Sequence, residues 1–133
     1  MSAWTDDQLR RIAEGEELEL ASRRPDGALS GYVTMWVIAV GDGVYVRSAG
    51  GPDRPWYRRA IAAGEGRIRC GSVDTDVTFA AVGDDLHETI DDAYHAKYDR
   101  YGPRIVGSVV GPAAHAVTIR LVPADPDQEG TTS

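Results

Sequence analysis

The architecture of this chain follows mainly from residues 31–71, which read GYVTMWVIAVGDGVYVRSAGGPDRPWYRRAIAAGEGRIRCG. Tyr32 to Val40 is apolar at almost every position, and Gly41-Asp42-Gly43 then favours a tight hairpin into a second strand from Val44 to Ser48. A strand that is apolar on both faces in so short a chain needs a barrel interior on one side and a cover on the other. These residues therefore predict a β-barrel, and the cover that we expect is a second copy of the chain.

The sequence on either side supplies further strands and flanking helices. Alternating apolar and polar positions indicate strands, and a 3.6-residue period indicates helices. Four more strands are predicted at Glu17 to Arg23, Gly66 to Cys70, Val73 to Val82 and Ala114 to Val122, with helices at Thr5 to Ala13, Trp56 to Ala63 and Asp84 to Arg100. Ile105 to Pro112 reads as irregular. We expect residues 1–123 to form a single domain and the acidic residues 124–133 a disordered tail.

The overall composition is acidic, with a net charge of −7 and 42% hydrophobic residues. Such a charge disfavours general nucleic-acid binding, which needs a basic surface. No apolar run approaches the roughly 20 residues of a membrane span, and the N-terminus lacks the pattern of a signal peptide. We therefore expect a cytoplasmic protein that binds neither nucleic acid nor membranes.

Positive charge is concentrated in one part of the acidic chain. Residues 47–69 contain six arginines and only two carboxylates, Asp53 and Glu65, so this segment carries a charge of +4. A cationic region in an acidic protein favours a small anionic ligand over a polyanion. The alternative is a solvated surface whose arginines pair with nearby carboxylates.

The same segment contains a predicted anion site. Ser48-Ala49-Gly50-Gly51 leaves a strand, and Pro55 stands at the start of the next helix. Adjacent glycines let the backbone approach a ligand closely, and a helix start presents unsatisfied amides. Three aromatic residues lie close in sequence: Trp36, Trp56 and Tyr57. This combination suits a phosphorylated planar molecule, with amides and cations on the phosphate and rings beside an apolar slot.

Catalytic side chains are not evident from the sequence. Cys70 falls on an inward position of a predicted strand, where an inert buried thiol is expected. His87, His95 and His115 are too scattered to share a metal ion, so we expect no metal site. We assign no catalytic residue, although Tyr57, Tyr98 or His115 would be the proton carriers of a non-redox enzyme.

Longer patterns in the chain resemble the flavin-binding split-barrel superfamily. They are Trp36-x-Ile38-x-x-Gly41-Asp42-x-x-Tyr45-Val46-x-Ser48-x-Gly50-Gly51, then Pro55-Trp56-Tyr57-Arg58-Arg59-Ala60, and Gly66-x-Ile68-x-Cys70. Within that superfamily, deazaflavin-dependent nitroreductases have a similar strand, glycine loop and Trp-Tyr helix. The chain from Trp4 to Pro123 is also similar to the bacterial domain of unknown function 2255 family, which shares a segment here formed by Lys97-Tyr98-Asp99-Arg100-Tyr101-Gly102.

This resemblance implies an α+β fold, mainly β: a six-stranded split β-barrel of the FMN-binding type with flanking helices. It also implies a homodimer with a cofactor cleft at the subunit interface, holding FMN or the deazaflavin coenzyme. By position, the phosphate would lie against Arg47, Ser48, Ala49, Gly50 and Gly51. Trp56 and Tyr57 would stand beside the cofactor, and Thr34 would face its ring.

Three kinds of function follow from this interpretation. In the first, the protein binds a flavin-type cofactor and reduces a small organic substrate, as nitroreductases do. In the second, it is a cofactor-free barrel of the same fold that binds a small ligand. A non-redox enzyme that uses the same cleft is the third.

Overall fold

A computed structural model describes residues 3–124, which fold into an antiparallel sheet with helices packed on it. In chain order the main elements are α1 (Asp6–Glu14), β1 (Glu17–Ser22), β2 (Val33–Trp36), β3 (Ile38–Val40), β4 (Gly43–Arg47), α2 (Pro55–Ala63), β5 (Glu65–Cys70), β6 (Val73–Ala80), α3 (His87–Tyr98), α4 (Pro103–Val106), α5 (Pro112–His115) and β7 (Thr118–Pro123). All of the predicted tail except Ala124 lies outside the described residues. No helix within residues 3–124 is long and apolar enough to cross a membrane.

The sheet closes almost completely into a barrel. Its strand order is β2-β1-β5-β6-β7-β4-β3, and every neighbouring pair is antiparallel. β2 and β3 lie at the two ends of this order although only Val37 separates them in sequence. One stretch of chain therefore joins both edges of the sheet, and the predicted split-barrel fold, mainly β with flanking helices, is confirmed.

The predicted number of six strands is wrong, because the described chain has seven. The long strand expected from Tyr32 to Val40 is interrupted at Val37, whose backbone leaves the ladder. The Val37 N–H donates to the hydroxyl of Tyr98 at 3.1 Å, and its carbonyl accepts from Lys97 Nζ at 2.8 Å. Side chains of α3 thus replace the backbone partners that an uninterrupted strand would use.

Two apolar clusters explain the run of hydrophobic residues in this stretch. The first fills the barrel and includes Leu18, Leu20, Val44, Val46, Ile68 and Leu121. The second lies between the sheet and α3 and joins Ile38 and Tyr45 to Ile90, Tyr94 and Tyr98. Helix α3 of the same chain therefore covers β3, whereas Val33, Met35 and Trp36 of β2 remain only partly buried. Dimerisation stays a prediction.

The helices follow local signals closely at the N-terminus and less closely at the C-terminal end. A capping box begins α1: Gln8 N–H donates to Thr5 Oγ1 at 3.1 Å, and Gln8 Oε1 accepts from Thr5 N–H at 2.9 Å. The long helix predicted from Asp84 to Arg100 is α-helical only in α3, with a 3-10 turn at each end.

The segment predicted as irregular, Ile105 to Pro112, is partly helical. It contains the end of α4 and a 3-10 turn, Gly107–Val109, and α5 begins at its last residue. Gly102 and Gly111 have φ angles of 99° and 90°, and each precedes the proline that begins a short helix. These Gly-Pro pairs are helix-start signals, because proline is preorganised for the first helical position.

Candidate functional site

One cleft of about 410 Å³ contains most of the residues predicted to bind a cofactor. It lies between β2, the loop that follows β4, the start of α2, and the 3-10 turn Gly107–Val109 with Ile105 beside it. Thr34, Arg47, Ala49, Gly50 and Trp56 line it, whereas Ser48, Gly51 and Tyr57 do not. The structure thus brings together five of the eight predicted residues, and their role in cofactor binding stays a prediction.

The loop after β4 is a tight turn whose ends are internally bonded. Gly51 N–H donates to the Ser48 carbonyl at 3.0 Å, and Ser48 Oγ donates to the Gly51 carbonyl at 2.6 Å. Ser48 N–H donates to the Val117 carbonyl at 3.2 Å. Gly51 has a φ of +87°, which a residue with a side chain adopts only with strain. Ser48 and Gly51 therefore shape the loop, and their amides are not available to a ligand.

The two residues at the tip of this turn present free amides. Within residues 3–124, neither Ala49 N–H nor Gly50 N–H has a hydrogen-bond acceptor. Both residues are exposed and line the cleft. Two adjacent amides without acceptors are groups that can bind an anion.

Arg54 completes the loop and was not among the predicted site residues. A Cβ placed on Gly50 would lie only 1.5 Å from Arg54 Nε, so the arginine side chain lies directly over the glycine. Arg54 is exposed, lines the cleft and has no ion-pair partner in the described part of the chain. Its position in the sequence could have indicated Arg54 as a site residue, because it immediately precedes α2 and the start of a helix favours anions.

Arg47, by contrast, points into the protein. Its side chain is fully buried and forms an ion pair with Asp91 of α3. It also donates to Thr118 Oγ1 at 2.8 Å and to the Val109 carbonyl at 2.7 Å. A direct contact between Arg47 and a bound phosphate would require the guanidinium to leave these partners. Its observed position instead ties the cleft wall at Val109 to α3.

Asp91 connects this arginine to the short helices near the C-terminal end. Its second oxygen lies 3.0 Å from His115 Nε2 and accepts from Gly111 N–H at 3.3 Å. Burial opposes ionisation of Asp91, but the bonds from Arg47 and His115 outweigh it, so the pKa of this carboxyl is below its usual value. The carboxylate therefore stays charged and holds the segment that forms one wall of the cleft.

The aromatic residues divide between two cavities. Trp36 stacks on Tyr98, with ring centroids 4.1 Å apart and planes 5° from parallel, and it lines the cleft together with Trp56. Tyr57 meets Trp56 edge-on but lines a separate cavity of about 240 Å³. Its hydroxyl donates to the Ala116 carbonyl at 3.3 Å. The two tryptophans are thus the rings that border the cleft.

The described residues offer binding groups and few reactive ones. Burial raises the pKa of the Cys70 thiol, which keeps it protonated and unreactive. Between Ala3 and Ala124 no group of three or more His, Cys, Asp and Glu side chains is placed to hold a metal ion. The cleft combines amides, the exposed cation of Arg54, the hydroxyls of Thr34 and Ser108 and two aromatic rings, and Glu17 adds one carboxylate to its lining. Such groups can bind and orient a planar molecule with an anionic end.

Solved structures with similar folds cover most of the chain. The heme storage protein HutZ from Vibrio cholerae has 15% identity, a TM-score of 0.61 and 90% coverage of each chain. An FAD-binding protein from Mesorhizobium loti has 15% identity, a TM-score of 0.55 and 92% coverage of each chain. A protein described as F420 reductase has 19% identity and a TM-score of 0.53, covering 87% of this chain and 92% of its own. At such identities the likeness establishes the split-barrel fold alone.

Sequence comparison gives a more direct relationship. None of the curated protein sequences compared with the chain matches it. A family model described as "Uncharacterized protein conserved in bacteria (DUF2255)" matches residues 8–121, which include every strand of the barrel except the last two residues of β7. The chain therefore belongs to the bacterial DUF2255 family.

Proposed function

We propose that the cleft binds a flavin-type cofactor, FMN or the deazaflavin coenzyme, and that the protein uses it to reduce a small organic substrate. The observation that carries the proposal is the pair of amides at Ala49 and Gly50 beneath the guanidinium of Arg54, none of which has a partner in the described part of the chain. Clustered amides and a cation favour a phosphate group. The similar solved proteins described as FAD-binding and as F420 reductase support the same class of ligand.

The remaining cleft residues suit the planar part of such a molecule. A volume of about 410 Å³ is within the usual range for small-molecule sites and admits one ring system. Trp36 and Trp56 supply apolar ring surfaces, and Thr34 presents a hydroxyl from the exposed side of β2. The donor set therefore fits a phosphorylated planar cofactor.

Hydride transfer, in this proposal, is chemistry that the cofactor supplies when bound. The chain binds the phosphate through Arg54 and the loop amides, and it orients the ring between the tryptophans. No acid or base side chain needs to react in this scheme. Of the three titratable residues that line the cleft, Glu17, Arg47 and Arg54, Arg47 is already paired with Asp91.

A second copy of the chain would complete the cleft. Ile105 is 50% exposed in the lining of the cleft, and in β2 Thr34 is exposed while Val33 and Met35 are only partly buried. Covering this surface would bury apolar area and exclude water from the ring. We therefore propose a homodimer with the ligand at its interface, measurable as a mass of twice the chain by light scattering.

Titration with FMN and with a deazaflavin coenzyme tests the proposal, using tryptophan quenching and the visible absorption of the cofactor. We expect saturable binding of one of them. Arg54→Glu should weaken it about tenfold or more, because a charge-assisted hydrogen bond is lost and repulsion is added. Arg58→Glu makes the same charge change at an exposed α2 position that does not line the cleft, and it should change affinity by less than about threefold.

Two results would contradict the proposal. If neither cofactor binds at millimolar concentration, the protein is better described as a cofactor-free small-ligand binding module. That alternative is favoured by Arg47, whose donors are all directed to partners inside the protein. If a cofactor binds but Arg54→Glu and Arg58→Glu have equal effects, the phosphate lies elsewhere.

A further inference from the structure

A second, roomier cavity lies away from the cleft. It has a volume of about 760 Å³ and shares no lining residue with the cleft. It is formed by the turn after β1, by Ser30 and Gly31 before β2, and by the C-terminal half of α2. Three arginines line it, Arg23, Arg24 and Arg59, against a single carboxylate, Glu65.

The turn that carries two of these arginines has a fixed backbone. Arg24 N–H donates to the Ala28 carbonyl at 2.7 Å, and Gly27 N–H donates to the Arg24 carbonyl at 2.8 Å. Arg23 N–H donates to the Glu65 carbonyl of β5 at 2.9 Å, so the turn is also tied to the sheet. Because the backbone of this turn is fixed by hydrogen bonds, less conformational entropy is lost when a ligand binds to its side chains.

Two of the three guanidinium groups have no ion-pair partner among residues 3–124. Arg23 donates to the Gly27 carbonyl at 3.0 Å and lies 3.3 Å from Asp76. Arg24 and Arg59 are exposed, and within residues 3–124 neither forms an ion pair or a side-chain hydrogen bond. In a chain of net charge −7, carboxylates are plentiful, yet this cavity keeps an excess of positive charge.

Arg67, in the same sheet, is an arginine that does have carboxylate partners. Arg67 on β5 donates to Asp74 at 2.8 Å and to Asp76 at 2.9 Å. These bonds raise the pKa of the Arg67 guanidinium, with the bond to Asp76 as the largest cause. Cross-strand pairing therefore neutralises Arg67, and the absence of such pairing at Arg24 and Arg59 leaves both available to a bound anion.

We infer that this cavity binds a group with two or more negative charges, such as a diphosphate or a polycarboxylate. The chemistry is shared by two sources: a free anionic metabolite, or the anionic end of a molecule whose planar part lies in the cleft. α2 links the two places, because Arg54 immediately precedes it and Arg59 lies in its second half. The inference rests on the cavity alone and does not require the function proposed above.

Calorimetric titration with inorganic pyrophosphate, in metal-free buffer at low salt, tests the site directly. We expect binding by the wild-type chain that Arg24→Glu and Arg59→Glu each weaken about tenfold or more. Arg58→Glu is the matched control, since it precedes Arg59 on the same helix and does not line the cavity. It should weaken binding by less than about threefold. Raising the salt concentration should weaken wild-type binding as well.

The second measurement separates the two sources. FMN and riboflavin differ by one phosphate, and their affinities are compared in wild type and Arg59→Glu. If Arg59→Glu removes the advantage of FMN over riboflavin, the cavity, and not the loop at Arg54, takes the anionic end of the cleft ligand. If that advantage is unchanged while pyrophosphate binding falls, the site takes a separate anion.

Two outcomes would overturn the inference. One is a pyrophosphate affinity that is the same in Arg24→Glu, Arg59→Glu and Arg58→Glu. The other is a loss of pyrophosphate binding in Arg54→Glu alone, which would place the anion in the cleft. Because pyrophosphate has no ring, failure of this test leaves the proposed flavin site untouched, and failure of flavin binding leaves this test valid. Circular dichroism of each variant verifies that it is folded.

Discussion

Replacing Tyr98 with phenylalanine removes a single oxygen atom from the point where the barrel closes. The Tyr98 hydroxyl accepts from Val37 N–H at 3.1 Å, and it lies 2.6 Å from the Glu16 carbonyl and 2.9 Å from the Val37 carbonyl. It has one proton to donate and can therefore satisfy one of these carbonyls at a time. The ring itself stays in place in the variant, because its stacking on Trp36 needs no hydroxyl.

The expected loss in the free energy of unfolding depends on which of these groups is buried when it loses its hydrogen-bond partner. The Val37 carbonyl still accepts from Lys97 Nζ, and Glu16 is exposed, so water can replace the bond at its carbonyl. Val37 N–H is left alone in a residue that is fully buried. An unsatisfied buried donor costs about 1–3 kcal/mol, and we expect a loss of about 2 kcal/mol in the free energy of unfolding. For a domain of this size that is about 6–10 °C in Tm.

Urea unfolding followed by circular dichroism measures the change, with Tyr101→Phe as control. Tyr101 is 38% exposed and its hydroxyl lies 3.3 Å from Arg100 Nη2, so its loss should change stability by less than about 0.5 kcal/mol. Amide exchange at Val37 should also speed up in Tyr98→Phe alone. Equal stability of the two variants would show that Val37 has another partner and that the strand break does not depend on Tyr98.

Two further predictions concern the sheet and the buried ion pair. In Gly66→Ala the new Cβ would lie 2.0 Å from the Ala21 carbonyl oxygen, so β1 and β5 must separate; we expect a loss of about 3 kcal/mol or more in urea unfolding. Gly31→Ala, which has nothing within 4 Å of its Cβ, should be neutral, and equal effects would refute the steric reason. Asp91→Asn leaves Arg47 buried and unpaired, and we expect a loss of about 3–5 kcal/mol at pH 7. Because the pKa of Asp91 is lowered on folding, its contribution is present above the usual pKa of 3.8 and disappears as the pH falls below it. The stability difference from wild type should therefore shrink toward pH 3, and a constant difference would contradict the ion-pair explanation.

Features determined by neighbouring residues could be predicted from the sequence. The capping box at Thr5 and Gln8 needs residues three apart, and the hairpin turns at Gly41 and Gly71 need a positive φ, observed as 57° and 59°. The order of strands and helices follows from such signals together with hydrophobic periodicity. The fold class was accessible for the same reason.

Features that depend on distant partners could not be predicted. Val37 breaks its strand because of Tyr98, which lies 61 residues away in sequence. Arg47 turns inward because Asp91, 44 residues away, offers a carboxylate there. Viewed alone, an arginine beside a glycine loop is indistinguishable from one that binds a phosphate. Only the packing of α3 on the sheet decides between the two roles.

The strand break also explains why the cleft and the covered face of the barrel lie on one continuous stretch of chain. In an unbroken strand, every second side chain points to the same face, so one neighbouring element would cover all the side chains of that face. With the ladder interrupted at Val37, Ile38 packs under α3, whereas Trp36 and Thr34 line the cleft. Tyr98 takes part in both, because its hydroxyl holds the break and its ring supports Trp36. Phenylalanine keeps the second contact and loses the first, so Tyr98→Phe should destabilise the barrel while leaving the aromatic wall of the cleft in place.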